Sequence, residues 1–335
     1  MTKITCDLKV MIWNLENLFL LSDQTLTSEH LKLDEIQWQK LSTSIYPNKS
    51  LAKTKALAEI ITSENPDLIL LCEVGGLESL TNFNRLFLGG RYSPVLVEGN
   101  SDRNIDIGFL LRRDIGFYFD VFSNRNRSIN YLYPHERQSL DQPVTGGHRF
   151  SRDAAELHLF LNNHEHPFFV FVMTHLKSQL DRDRIDPLGF ERRQAEFKTL
   201  MEVYTGLRER WQRSVPICVA GDFNGNASHH GRDAEFSTLA EHPDFLDVCE
   251  LGNVSADDAK TYFQIHRTRT EGKQLDYAFL SPEAQPYLKR DSVRVYRYLD
   301  PMGFPLDRPT TLDAKAQLPS DHYPLVFELK SIPLR

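Results

Sequence analysis

The chain has 335 residues, of which 41% are apolar and 25% charged, and its formal net charge is −7. That composition suits a globular protein with a sizeable core and excludes a collagenous, low-complexity or disulfide-dense chain. The negative charge argues against a tight, non-specific duplex binder, which gains its affinity by neutralising phosphates.

In chain order, residues 9–13 form a first apolar run that predicts a strand ending at Asn14. Residues 21–49 are polar, with Leu31, Leu33, Ile36, Trp38 and Leu41 as their apolar members, and read as an insertion that holds a short helix. Residues 51–63 predict a helix with Ser50 as N-cap and Pro66 beyond its stop. Residues 68–72 predict a strand that delivers Glu73. Runs at 92–97, 105–111 and 116–122 predict three more. Residues 123–150 are rich in Arg, Asn, His, Gln and Gly and read as a second insertion, equally a binding lid or a plain surface loop. Strands follow at 155–161 and 168–174, the latter ending at His175. Residues 190–211 predict a long amphipathic helix, with Phe197, Leu200, Met201, Tyr204, Leu207 and Trp211 as its core face. Residues 217–220 lead into Gly221-Asp222-Phe223-Asn224. A strand at 275–280 carries Asp276, another lies at 293–296, and Ser320-Asp321-His322 precedes the last, at 325–329. Several runs are apolar throughout, as strands covered on both faces are. Two packed sheets with helices outside, an α/β arrangement, satisfy the pattern.

The remaining features predict location and organisation. No apolar run approaches membrane-spanning length, and Asp7 and Lys9 interrupt any apolar leader. Cys6, Cys72, Cys218 and Cys249 lack metal-ligand spacing and read as reduced, which predicts the cytoplasm. Arginines cluster at Arg125, Arg127, Arg137, Arg149 and Arg152, and again at Arg182, Arg184, Arg192 and Arg193. Most of them read as solvated surface. His158, His164, His166, His229, His230, His242 and His266 show no ligand spacing with carboxylates.

A lone Gly-Asp-x-Asn is a turn, and one polar residue after a strand marks a chain leaving the core. Six strands carrying Asn, Glu, His, Asp with Asn, Asp, and Asp with His, in that order, are not explained so. Strand ends are rigid supports, where catalytic groups gain most from being fixed. Asp222 and Asp321 can bind a hard cation or take a proton from water. Asn224 can donate to an oxyanion, and His322 can donate as imidazolium. As strand-end residues, Asp222 and His322 are expected to lie outside the core.

These residues carry a resemblance to the endonuclease/exonuclease/phosphatase superfamily, which includes deoxyribonucleases, abasic-site endonucleases, inositol-polyphosphate 5-phosphatases, neutral sphingomyelinases and deadenylases. It runs from Leu8 to about Leu329, so a single domain over residues 1–335 is expected. Residues 102–109 and Ser151-Arg152-Asp153 resemble segments of bacterial members. The resemblance implies a four-layer α/β/β/α sandwich of deoxyribonuclease type and a Mg²⁺-dependent hydrolase, with Mn²⁺ as a substitute. Glu73 would be the principal metal ligand, Asn14 its companion and Asp321 near the ion, with Glu16 secondary. Asp222 would orient or deprotonate the attacking water, Asn224 would contact a phosphoryl oxygen, and Asp276 would fix His322. Either Asp222 or His322 could be the base. His175 resembles the deoxyribonuclease and sphingomyelinase branches, whereas abasic-site enzymes resemble each other in a Tyr there. Arg103 and Arg152 would contact substrate. A phosphodiester of DNA, RNA or a nucleotide is the expected substrate. A phosphomonoester or lipid phosphodiester on the same scaffold is the alternative, and a silent binding module is the remote one.

Overall fold

The computed structural model describes residues 4–137, 147–161, 164–181, 184–229 and 231–334. Arg182, His230 and residues 138–146 of the second polar insertion lie outside the described residues. The strands are β1 (Thr5–Leu18), β2 (Leu68–Val74), β3 (Tyr92–Val97), β4 (Asp106–Arg112), β5 (Tyr118–Ser123), β6 (Ala154–Phe160), β7 (Phe169–His175), β8 (Ile217–Asp222), β9 (Leu246–Asp247), β10 (Tyr262–Ile265), β11 (Thr270–Lys273), β12 (Asp276–Leu280), β13 (Leu288–Val295) and β14 (Leu325–Pro333). They make two six-stranded sheets, ordered β13-β14-β1-β2-β4-β3 and β5-β6-β7-β8-β12-β9, and a separate β10-β11 hairpin.

Each sheet has one parallel pair near its middle, β1 with β2 and β7 with β8. A parallel pair needs a crossover. The helix Leu51–Glu64 lies in the first crossover and the helix Phe190–Arg210 in the second. Ser50 caps the first, its hydroxyl accepting from Lys53 N at 3.2 Å, and Asn65 closes it in the left-handed region at φ 48°. Both helices match their predicted spans to within a residue or so, because cap and stripe are local signals.

Alternation along β7 shows why its run is apolar throughout. Phe169, Phe171 and Met173 face the first sheet in one core, while Val170 and Val172 pack with Phe197, Leu200, Met201 and Tyr204 of the long helix in another. Period-two side chains thus fill an inter-sheet layer and a sheet–helix layer. The four-layer α/β/β/α sandwich of deoxyribonuclease type is the fold observed. The sheets meet through β1 and β2 against β7, β8 and β12.

Some elements escaped the sequence reading, and one was caught only in part. The helix Gly76–Phe87 buries Leu80 and Phe83 against the first sheet, but begins with glycine and carries Thr81, Asn82 and Asn84, which favour turns. The β10-β11 hairpin belongs to neither sheet, and its four-residue strands are too short to stand out. β13 begins at Leu288, not 293, because its charged start, Lys289, Arg290 and Asp291, belongs to an exposed edge strand. In residues 21–49 the expected short helix is Glu35–Gln39, capped by Asp34, whose carboxylate accepts from Gln37 N at 2.8 Å. Trp38 pins it, fully buried, with its indole donating to Lys49 O at 2.9 Å.

Candidate active site

Strand direction brings the singled-out residues to one edge. β1 and β2 run parallel, with Asn14 beside Cys72, so Asn14 and Glu73 emerge at the same end. β7 and β8 do likewise, with His175 beside Asp222. β12 runs against β8 and starts at that edge, Asp276 facing Asp222. β14 runs against β1, Leu325 facing Ile12, so residues 320–322 lie just beyond its start, beside Asn14.

The backbone there is unusual. Glu16, Asn17, Glu73 and Asn224 all take positive φ, between 50° and 62°. Such values cost a non-glycine residue roughly 1 kcal/mol or more, and persist where the surroundings impose them. Gly221 has φ 137°, and a Cβ there would lie 1.8 Å from Thr174 O. This residue must be glycine, because β8 passes so close to β7 just before Asp222.

Asp222 is the hub. Its Oδ2 accepts from Asn14 Nδ2 at 3.0 Å and lies 3.6 Å from His175 Nε2 and 3.9 Å from His322 Nε2. Its Oδ1 accepts from Asn224 N at 2.9 Å. Asp276 Oδ2 is 2.8 Å from His322 Nδ1, and Thr261 Oγ1 accepts from Asp276 N at 3.1 Å. The His322 carbonyl accepts from Trp13 Nε1 at 2.9 Å and from the Tyr298 hydroxyl. Ser320 Oγ donates to Asn14 O at 2.7 Å and accepts from His322 N at 3.2 Å, which joins the Ser320-Asp321-His322 segment to β1. Asp222 and His322 are both buried, at 1% and 6% exposure. The expectation that strand-end residues escape the core therefore fails here, since the loops beyond the strands close over them.

Burial pushes the Asp222 carboxyl up to about 7, against the opposing pull of the His322 charge. Burial works against an imidazolium at His322, but the Asp276 and Asp222 carboxylates outweigh it and hold its pKa well above the ordinary value. His175 goes the other way. Burial, then the charges of Arg152 and His322, keep it well below the ordinary value, and its Nδ1 is buried without a hydrogen-bond partner. The two rings thus lean opposite ways on two sides of one carboxylate, His322 toward the charged form and His175 toward the neutral one.

These groups open on a cleft of about 530 Å³ whose wall includes Asn14, Glu73, His175, Asp222, Asn224, Asp321 and His322. The endonuclease/exonuclease/phosphatase family model matches residues 11–322. This chain belongs to that family. The family's name spans endonucleases, exonucleases and phosphatases, all of which hydrolyse phosphoesters. No curated protein matches the chain. Among solved structures it resembles TDP2 from Caenorhabditis elegans at 16% identity and TM-score 0.56, over 97% of this chain and 74% of that one. It resembles the human Nocturnin catalytic domain, solved with sulfate, at 18% and 0.56, over 98% and 96%. It also resembles a Bacteroides thetaiotaomicron mannosyl-6-phosphatase at 16% and 0.53, over 96% and 99%. At such identities the likeness is one of fold.

Of the residues singled out for this family member, all but two line the cleft. Asp276 lies behind His322. Arg152 is buried at 7% exposure and faces a neighbouring cavity. Arg103 lines both, its Nη2 donating to Asn17 Oδ1 at 2.5 Å. Asp321 carries an ion pair to Lys315 at 3.3 Å. The sequence reading missed Tyr262, whose ring lies 5.0 Å from that of His322 with the Lys315 ammonium 3.5 Å from its centroid. No local pattern marks it, because the hairpin that carries it is positioned only by packing.

The only tight grouping of His and carboxylate ligand atoms among the described residues is Asp222, Asp276 and His322. Its histidine is bonded to Asp276 and held toward the charged form, so the group suits a proton relay better than a metal cage. Glu73 and Asn14 offer oxygen donors: the Glu73 carboxylate, which takes Asn17 N at 3.1 Å on Oε2, and Asn14 Oδ1, which takes Glu16 N at 3.0 Å. That donor set fits a hard cation needing one or two protein carboxylates.

Proposed function

We propose that this chain is a divalent-metal-dependent phosphodiesterase of nuclease type, working as one domain on nucleic acid or nucleotides. The observation that carries the reading is the buried Asp222 carboxylate, raised in pKa and fixed by Asn14 and Asn224, with an imidazolium at His322 across the cleft from Glu73. A Mg²⁺ or Mn²⁺ ion held by Glu73 and Asn14, with Asp321 nearby, would neutralise phosphoryl charge when bound. Asp222 orients a water and takes its proton. Its raised pKa suits a base near neutral pH. With its proton already in place, His322 serves as donor and not as base. Its Nε2 stabilises charge on the phosphoryl group in flight, while Asp276 holds the ring. Asn224 uses one amide hydrogen on Leu176 O at 3.0 Å and offers the other to a phosphoryl oxygen. Neutral His175 keeps repulsion of a cation out of the cleft floor. Cleavage is in-line displacement by water.

One observation favours a lipid phosphodiester instead. Met302 and Phe304 are 82% and 65% exposed on a turn in the segment that runs from Tyr298, bonded to His322, to Lys315, bonded to Asp321. No helix among the described residues is long and apolar enough to cross a membrane. Free cysteines, three of them buried, support a cytoplasmic reading. The test is turnover by purified protein of plasmid, single-stranded DNA, RNA, dinucleotides, sphingomyelin vesicles, inositol phosphates and bis-p-nitrophenyl phosphate, with Mg²⁺, Mn²⁺ or chelator. Nucleic-acid turnover that vanishes in chelator is expected. Turnover of sphingomyelin or inositol phosphates alone would overturn the nuclease reading, and full activity in chelator would overturn the metal.

A further inference from the structure

Arg152 is a buried cation with no carboxylate in ion-pair contact among the described residues. Its Nη1 donates to Ser151 Oγ at 3.2 Å, its Nε has no hydrogen-bond partner, and it makes no ion pair among the described residues. The contrast is Arg193, equally buried, whose guanidinium meets Glu235 at 2.5 Å. The Glu196, Glu73 and Asp222 carboxylates act on Arg152 only from beyond ion-pair distance and do not outweigh its burial. A buried guanidinium so placed is costly and is kept where something outside the chain completes it.

Arg152 faces a cavity of about 460 Å³ that shares Arg103, Ser178 and Leu180 with the catalytic cleft. Two more cations of its wall have neutral partners. Lys177 Nζ donates to Ser178 O at 3.1 Å and Leu180 O at 2.6 Å, and Arg103 donates to the Asn17 amide. The nearby carboxylates are committed elsewhere. Asp181 accepts from Ile185 N and Asp186 N, and Asp186 from Glu191 N and Arg192 N. Glu196, behind the wall, accepts from Ser151 N and Lys177 N, each at 2.7 Å, and pairs with Arg192. Asp102 is exposed at the rim.

We propose that this cavity is a second anion subsite, where Arg152, Lys177 and Arg103 receive a phosphate of the substrate other than the one cleaved. The inference rests on the cleft at Asp222 being the hydrolytic site. It defines the preferred substrate as one with two phosphates within reach of adjoining cavities, whether successive phosphates of a strand or two on a small molecule. A guanidinium is always charged and forks onto phosphate oxygens, so binding here is a matter of charge and geometry and not of sequence.

Two measurements test it. Inorganic phosphate is titrated into the protein in chelator by calorimetry. Saturable binding is expected, weakened at least tenfold by Arg152→Met and by Lys177→Met, and retained in Asp222→Asn. Lys177 is half-exposed, so its variant stands if the Arg152 variant misfolds. No saturable binding, or binding lost only in Asp222→Asn, overturns the subsite even if hydrolysis is observed. In Mg²⁺, KM for the 5′-phosphorylated dinucleotide pdTpdT should be at least tenfold below that for dTpdT, with Lys177→Met bringing the ratio to within twofold. A preference for an inositol bisphosphate over the monophosphate, with none among dinucleotides, assigns the second phosphate to a small molecule. Equal KM across both pairs overturns the proposal. Phosphate binding with no turnover of any substrate would instead overturn the hydrolase reading and leave the subsite standing.

Discussion

Asp222 and His322 share one electrostatic problem, and their burial sets the size of its consequences. If both act on the transition state, Asp222→Asn and His322→Ala should each lower kcat by roughly three to five orders of magnitude in steady-state assays. The substituted amide at 222 can accept only one of the bonds from Asn14 Nδ2 and Asn224 N, so a modest loss of stability should accompany the loss of rate. Near-wild-type kcat in either variant would remove its role. Asp276 touches the reaction only through the His322 ring. Asp276→Asn should therefore cost rate in the wild type and almost none in the His322→Ala background, a coupling that a double-mutant cycle reads directly.

Elements matter where the site demands something of the strands. At Gly221, β8 and β7 approach too closely for any side chain, and φ 137° is unsuited to one. Gly221→Ala should cost about 2–4 kcal/mol by chemical denaturation, and should displace Asp222 and His175 together. β9 offers a pH test away from the catalytic groups. Asp247 is fully buried, accepts from Gln274 Nε2 at 2.9 Å and Ala278 N at 3.3 Å, and has its carboxyl pushed up to about 7 by burial. The folded chain thus binds this proton more tightly than the unfolded chain, whose carboxyl titrates near the ordinary 3.8. Stability from this group is fully present below about pH 4 and is lost as pH rises to about 7. The unfolding free energy of Asp247→Asn, measured from pH 4 to 8, should fall less with pH than that of the wild type. Parallel curves would refute the assignment.

For the whole molecule, the relevant facts are charge and the meeting of two sheets. A chain at −7 can hold nucleic acid only through local cations, so binding should be modest and fall steeply with salt. Arg152→Ala should weaken binding and flatten that dependence, as fluorescence titrations at 50 and 200 mM salt can show. The site also needs both sheets in register. Asn14 and Glu73 come from the first and His175, Asp222 and Asp276 from the second, and the contact of Cys72 Sγ with Thr174 O at 3.6 Å is one place where the two meet beneath them. Loosening that layer should cost activity before it costs secondary structure.

The strand-end residues were legible because each sits where an apolar run stops, a local signal, and because their order along the chain is itself a pattern. The two crossover helices were legible for the same reason: Ser50 and the stripe at Phe197, Leu200 and Tyr204 declare themselves within a few residues. Other features could not be read from neighbours in sequence. The two rings lean to opposite charge states because the Asp276 and Asp222 carboxylates outweigh burial at His322, whereas the charges of Arg152 and His322 add to burial at His175. Tyr262 enters the site on a hairpin of two four-residue strands, placed only by packing. Arg152 looks like any arginine in a polar stretch until packing buries it without an ion pair. Local chemistry along the chain determined the elements and the identity of the acid, amide and imidazole groups. Only tertiary packing decided which of them lost water, and with it which hold a proton and which cation is left to take a ligand.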